Sequence, residues 1–323
     1  MQRIAMLIGA TALSAPLAAS AQTECGEVSI TEMNWASAQV VTAVSEFFLE
    51  QGYGCDVSAV PSDTVPAVTS VAENGEPDIV TELWLNSTGE VYERLEDEGR
   101  LERVAEVLDP GGVEGWWVPS YLAEEHPELT TIEGVMNNPD LVGGQFNNCP
   151  DGWGCRIVND NLIPALDLQS AGIEVFNHGS GETLATSMAS AYEDREPWFG
   201  YYWAPTALLG KYDMTRVDLG EYKPDVHAEN QNPDTANPGV SDFPAAPVLT
   251  SVTADLRERE PQVVEFMSNV TFPVDVMNAL VAWKDENSAS VDETAAYFVQ
   301  NYADLWSEWL SDEARENVSG LLN

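Results

Sequence analysis

Between Glu27 and Trp84 the chain switches repeatedly between the period of a strand and the longer period of a helix, and few architectures accept that pattern. Val28 to Met33 reads as a strand. Ala38 to Leu49 carries Val40, Val41, Val44, Phe47 and Phe48 at helical spacing, and Gly52 and Gly54 stop it. Cys55 to Val60 is a second strand, Asp63-Thr-Val-Pro opens a helix that runs through Asn74, and Pro77-Asp-Ile-Val-Thr leads a third strand to Glu82-Leu-Trp84. Such alternation predicts a parallel sheet with helices on both faces, and open sheets of that kind bind ligands beyond the carboxyl ends of their strands. Trp35 follows the first strand and Trp84 ends the third, so both are expected at that rim.

A second unit opens at Gly111-Gly112-Val-Glu114-Gly-Trp116-Trp117-Val-Pro, a glycine pair followed by an apolar strand. Leu141 to Phe146 reads as a strand, Arg156 onward as a helix, and Ile173 to Phe176 as a strand that leads through Gly179-Ser-Gly into a helix reaching Tyr192. Trp198 to Tyr202 is a further buried strand and delivers Trp203 at its end. Residues from Tyr222 to Pro247 are rich in Pro, Asn and Asp and read as a long crossover back to the first unit. From Leu249 one more strand is expected, then helices at Gln262 to Asn269, Val274 to Glu286 and Asp292 to about Asn317. The last of these carries Tyr297, Phe298, Tyr302, Leu305, Trp306 and Trp309 as core. The expected organisation is a first lobe over residues 22–112, a second over 113–245, and a return over 246–323 to the first lobe and its C-terminal helices. Two lobes joined by crossovers make a cleft that can hinge shut on a small molecule.

Cys149-Pro-Asp-Gly-Trp-Gly-Cys155 places a lone tryptophan between glycines inside a cysteine bracket. Such spacing closes into a small disulfide loop, with Pro150 and Gly152 supplying its bends. The glycines leave room for the backbone N–H groups of Gly154 and Cys155 to face a ligand while the Trp153 ring covers it. The remaining pair, Cys25 and Cys55, each precede a predicted strand, and neighbouring parallel strands bring such positions together. Two disulfides suit an oxidising compartment. Neither pair has the spacing of a zinc knuckle and no His lies close by, so no metal is expected. The N-terminus, MQRIAMLIGATALSAPLAASAQ, has one Arg, an apolar stretch and an Ala-Ser-Ala end. It is the pattern of a signal peptide over residues 1–21, and its apolar run is short for a membrane span, so a soluble, exported, periplasmic protein is expected.

Three motifs carry a family resemblance. Cys149-Pro-Asp-Gly-Trp-Gly-Cys155 resembles the cysteine-bracketed loop of periplasmic glycine betaine binding proteins, the receptors of osmolyte ABC importers. Asp78-Ile-Val-Thr-Glu-Leu-Trp84 is similar to the segment that delivers a second tryptophan in that family, and Phe199-Gly-Tyr-Tyr-Trp203-Ala-Pro to the segment that delivers a third. Three motifs in order are far more specific than any one, and the likeness in layout covers nearly the whole mature chain. The resemblance implies a two-lobed α/β periplasmic binding protein fold, each lobe a mainly parallel sheet flanked by helices. It implies a box of Trp84, Trp153 and Trp203 around a trimethylammonium head, and a membrane permease with its ATPase as partners. Trp35 and Trp117 are further ring candidates, and Glu114 is placed to complement a cation or a protonated N-oxide. In the best known members a His four residues after the first box Trp holds the ligand's carboxylate, whereas that position here is Thr88, a weaker anion partner. Glycine betaine, trimethylamine N-oxide, choline and dimethylsulfoniopropionate therefore all stay open.

Charge and missing motifs exclude other classes. The formal net charge is -41, and loss of Arg3 with residues 1–21 makes it one unit more negative. Such a surface repels nucleic acid and anionic membranes, and it suits a salty setting that screens its self-repulsion. There is no Gly-x-Ser-x-Gly elbow, His-Glu-x-x-His or Walker loop, and His126, His178 and His227 are scattered, so neither an enzyme nor a bound cofactor is expected. A carbohydrate-binding or adhesion module is the alternative from a different class, since tryptophan faces also stack on sugars and the acidic segment 225–242 is loop-like.

Overall fold

The computed structural model describes residues 25–85 and 89–322, so the signal-peptide pattern and Thr88 lie outside the described residues. In the first third of the chain, β1 (Glu27–Met33), α1 (Ala36–Tyr53), β2 (Asp56–Ser62), α2 (Thr64–Asn74) and β3 (Ile79–Trp84) alternate, followed by α3 (Gly89–Asp97), β4 (Leu101–Glu106) and the short β5 (Leu108–Asp109). Helix α1 buries Ala38, Val41, Ser45, Phe48 and Leu49 along one stripe and ends at Gly54, whose positive φ lets its N–H cap the last carbonyls. Cys25 and Cys55 form a disulfide just before β1 and β2, which pair in parallel from Glu27 opposite Asp56.

The chain then builds a second sheet. Its elements are β6 (Gly112–Pro119), α4 (Ser120–Glu125), α5 (Ile132–Asn137), β7 (Gln145–Asn148), α6 (Gly154–Ala165), β8 (Glu174–Asn177) and α7 (Gly181–Asp194). They continue with β9 (Gly200–Ala204), α8 (Ala207–Lys211), β10 (Met214–Arg216), α9 (Pro224–Asn230) and β11 (Ala245–Ala246). After a tight crossing come β12 (Val248–Thr253), α10 (Ala254–Arg259), α11 (Pro261–Asn269), β13 (Phe272–Pro273), α12 (Val274–Asn287), α13 (Val291–Asn301), α14 (Ala303–Trp306) and α15 (Asp312–Leu322).

The first sheet has the order β2-β1-β3-β12-β4 and the second β10-β6-β9-β7-β8, with β11 on β6. Both are mixed and not mainly parallel. In the first, β12 returns from the other lobe and enters antiparallel between β3 and β4. In the second, β6 runs antiparallel to β9, β10 and β11, while β7 pairs in parallel with β8 and β9. The Pro-rich segment before β11 carries the short helix α9, and the Arg216–Asp242 ion pair ties it to the second sheet.

At the C-terminus the single helix expected from Asp292 is three, α13 to α15, because the chain leaves helical geometry at Tyr302 and again before Asp312. Its aromatic residues are core. Phe48, Phe266, Phe272, Phe298, Trp306 and Trp309 pack ring against ring between α1 and the C-terminal helices.

Two features of the sheets position the site. Where the lobes join, Gly111 and Gly112 run beside Ala246, and a Cβ on Gly112 would sit 2.3 Å from the Trp84 ring, so glycine is what lets that ring lie against the crossover. In β3, Val80 is opposite Ser251 and Leu83 opposite Leu249, which leaves Thr81 and Glu82 facing Thr250 alone. That is a β-bulge, and Glu82 occupies it with a φ of 51°.

Candidate ligand-binding site

Four tryptophans meet where the carboxyl ends of the two sheets face one another. Trp35 stands at the turn from β1 into α1, Trp84 ends β3, Trp153 precedes α6, and Trp203 lies near the end of β9. All four are buried. The Trp153 ring stands edge-on to Trp35 at 5.4 Å and to Trp203 at 5.1 Å. With Thr64, Glu114, Gly154, Cys155 and Tyr201 they line one cavity.

The stapled loop is held from several sides. Cys149 is bonded to Cys155, and Arg156 pairs with Asp151 and Asp160 at 2.5 and 2.8 Å. Asn148 accepts from the Cys149 N–H and from Asn159, and Asn159 in turn accepts from the buried Trp116 indole. Gly152 has a φ of 89°, and a Cβ there would meet the Asp63 carboxylate at 2.8 Å. Across the cleft, the Trp153 indole donates to Asn34 Oδ1 at 2.6 Å and the Val65 N–H donates to the Gly152 carbonyl at 3.1 Å. Gly154 and Cys155 are the first residues of α6, so their N–H groups have no partner within the helix and add its partial positive charge to the cavity wall.

The opposite wall comes from strand alternation. On β9, Tyr201 and Trp203 share a face, and Trp203 is directly opposite Glu114 of β6. Tyr201 donates its hydroxyl to Glu114 Oε1 at 2.5 Å, and burial together with the Glu114 carboxylate pushes the phenol well above its usual range, so it stays a donor. Under the other wall lies Glu82. Its Oε1 accepts from the Trp35 indole at 2.5 Å, from Ser37 Oγ at 2.7 Å and from the Trp84 indole at 3.4 Å, and burial pushes its carboxyl up to about 7.

Of the residues singled out in the sequence, Trp35, Trp84, Trp153, Trp203, Glu114, Gly154 and Cys155 line this one cavity. Trp117 does not. Alternation along β6 puts it on the face opposite Glu114, where its indole donates to the Tyr202 carbonyl at 3.0 Å. Trp116 shares the Glu114 side but is fully buried against Phe146 and Phe199. Sequence reading missed Thr64, Tyr201 and Glu82. Tyr201 was signalled by its twofold spacing from Trp203, and Thr64 by its place just beyond the carboxyl end of β2.

Comparison with solved structures shows the fold to be the two-lobed one of periplasmic binding proteins. The glycine/betaine/L-proline-binding protein ProX of Borrelia burgdorferi aligns over 90% of this chain and 99% of its own at a TM-score of 0.75 and 17% identity. An ABC-transporter choline binding protein solved with choline aligns over 93% and 99% at 0.74 and 18%. Lactococcal OpuAC, closed on glycine betaine, aligns over 88% and 100% at 0.70 and 18%. A comparison with curated sequences finds no match. Residues 26–301 match the profile of the substrate binding domain of ABC-type glycine betaine transport systems, so this chain belongs to that family of importer substrate-binding proteins, not to an enzyme family.

Proposed function

We infer that the protein captures a small methylated amine with a negative end, glycine betaine or trimethylamine N-oxide, between its lobes. It then presents the ligand to the permease and ATPase of its importer. The observation that carries this reading is that one cavity joins four tryptophan rings to the first N–H groups of α6. A trimethylammonium group has no N–H to donate, so it is held by shape and by the negative faces of rings, and tryptophan is the best of these. At about 1 to 2 kcal/mol per desolvated ring, the cage supplies much of the roughly 8 kcal/mol of a micromolar complex. The helix N-terminus suits the ligand's oxygen. Rings come from both sheets, which favours capture by closure. The signal-peptide pattern at residues 1–21 supports delivery in the periplasm.

Choline is the second reading, favoured by Glu114, whose buried carboxylate in the same wall complements a cation with no negative end. Calorimetry of the ligand-stripped protein against glycine betaine, trimethylamine N-oxide, choline and dimethylsulfoniopropionate, with a simple sugar as control, decides. Micromolar binding of one of the first two is expected. Heat with choline alone moves the function to the second reading, and heat with the sugar alone overturns both.

A further inference from the structure

The geometry points to Glu82 as a positioning residue of the cage: its carboxylate gathers the indole N–H groups of Trp35 and Trp84 and, when ionised, makes both rings better hosts for a cation. This rests on the reading that the cavity takes a methylated ammonium.

Three donors from three places converge on one oxygen of Glu82: the turn after β1 supplies Trp35, α1 supplies Ser37, and β3 supplies Trp84. The second oxygen is buried and has no hydrogen-bond partner among the described residues. An unmet buried acceptor destabilises the fold. So does the backbone, since a φ of 51° in a bulge is where glycine would sit without strain. The surroundings enforce that bulge. The Thr81 N–H donates to Thr31 Oγ1, the Thr81 and Thr250 hydroxyls bond at 2.9 Å, and Thr42 donates to the Thr31 carbonyl, pinning β1, β3 and β12 together. A glycine or an apolar side chain at position 82 would avoid one or more of these costs, but it would leave the two indoles without their shared acceptor.

The benefit lies in the rings. An N–H···O⁻ bond shifts electron density into the indole, and a more negative face holds a cation more strongly. A cation in the cage therefore favours ionised Glu82, and by reciprocity ionised Glu82 favours the cation. Burial pushes this carboxyl up to about 7, with no neighbouring charge contributing, so the coupling falls in an accessible pH window. The other titratable groups around the cavity are Glu114 and Tyr201 on the second sheet and Asp63 ahead of α2. Among the described residues none of them is hydrogen-bonded to Glu82.

The test begins without ligand. Proton–nitrogen NMR follows the indole signals of the wild-type protein from about pH 5 to about pH 9, with Trp35 and Trp84 assigned by Phe substitution. Trp116, which donates to the non-titrating Asn159, is the internal control. The Trp35 and Trp84 signals are expected to move together with one midpoint near 7, to be flat in Glu82→Gln, and to leave Trp116 still. Calorimetry with glycine betaine and with trimethylamine N-oxide then compares the two proteins. Wild-type affinity is expected to rise at least fivefold from pH 6 to pH 8, and Glu82→Gln to show a flat profile at the weaker level. Flat indole signals in folded wild-type protein, or parallel affinity profiles in the two proteins, overturn the proposal. If neither ligand binds wild-type protein at any pH, the proposed function falls, and the indole titration still decides the role of Glu82.

Discussion

Trp153 contacts the Trp35 and Trp203 rings and bridges to Asn34 across the cleft, so on the proposed function its removal takes away a ring face for the ligand and a closing contact together. Trp153→Ala is expected to weaken ligand at least tenfold, about 1.4 kcal/mol, with the far-ultraviolet circular dichroism unchanged. Unaltered affinity in the folded variant would remove the stapled loop from the site. At Glu82 the consequence is one of stability. The carboxyl titrates near 4.5 when unfolded and near 7 when folded, so between those values the native chain keeps a proton that the unfolded chain has released. Stability from this group is therefore lost as pH rises through that window, by about 3 kcal/mol in all. Glu82→Gln, the uncharged stand-in, is expected to melt with the wild type near pH 4.5 and to be the more stable by roughly that amount at pH 8. Coincident melting curves at both pH values would refute the penalty. Most of the residues that line the cavity were legible because a βα pattern puts strand-end tryptophans at the rim where the lobes meet. Glu82 was not, since a bulge with positive φ breaks the alternation by which a strand's inward residues are read.

Elements bring these residues together through two crossings and two staples, and the staples differ in reach. Cys25–Cys55 spans 30 residues and Cys149–Cys155 spans 6. Loop-closure entropy assigns about 3 to 4 kcal/mol to the first and about 2 kcal/mol to the second. Replacing Cys25 and Cys55 by Ala is expected to lower the melting temperature while leaving affinity intact, because that bond lies at the amino ends of β1 and β2, away from the cage. A matching loss of affinity would contradict this placement. The crossing is less forgiving. Gly112→Ala sets a Cβ 2.3 Å from the Trp84 ring and 2.9 Å from the Ala204 carbonyl, so the ring must move. The expected result is a destabilisation of about 1 to 3 kcal/mol together with weaker binding, and calorimetry paired with thermal melting checks both. The order of strands and helices could be read from periodicity alone, as β1 to β3 show. Strand direction could not, because whether β12 enters parallel or antiparallel depends on which lobe the chain returns from. The break at Tyr302 was hidden as well, since apolar helical spacing runs through it without a Pro or Gly to mark the stop.

The whole molecule carries a formal charge of -41, with 13 Lys and Arg against 54 Asp and Glu. At low ionic strength the self-repulsion of so many carboxylates opposes the compact state, and added salt screens it once the Debye length falls to about 10 Å or less. The melting temperature is therefore expected to climb steeply as sodium chloride is raised from the lowest concentrations towards molar. Ligand affinity should respond differently. A methylated amine with a negative end is neutral overall, and on the proposed function its contacts are short-range ones to the ring faces and helix N–H groups that line the cavity. Stability and affinity are thus predicted to separate along the same salt series, the first rising and the second nearly constant once the protein is fully folded. A purely cationic ligand behaves otherwise, because the net charge draws it in and salt weakens that attraction. Choline binding that falls with salt beside glycine betaine binding that does not would show that the field of the whole molecule acts on the ion and the cage on the dipole. If both fell together, long-range charge and not the aromatic cavity would be setting the affinity.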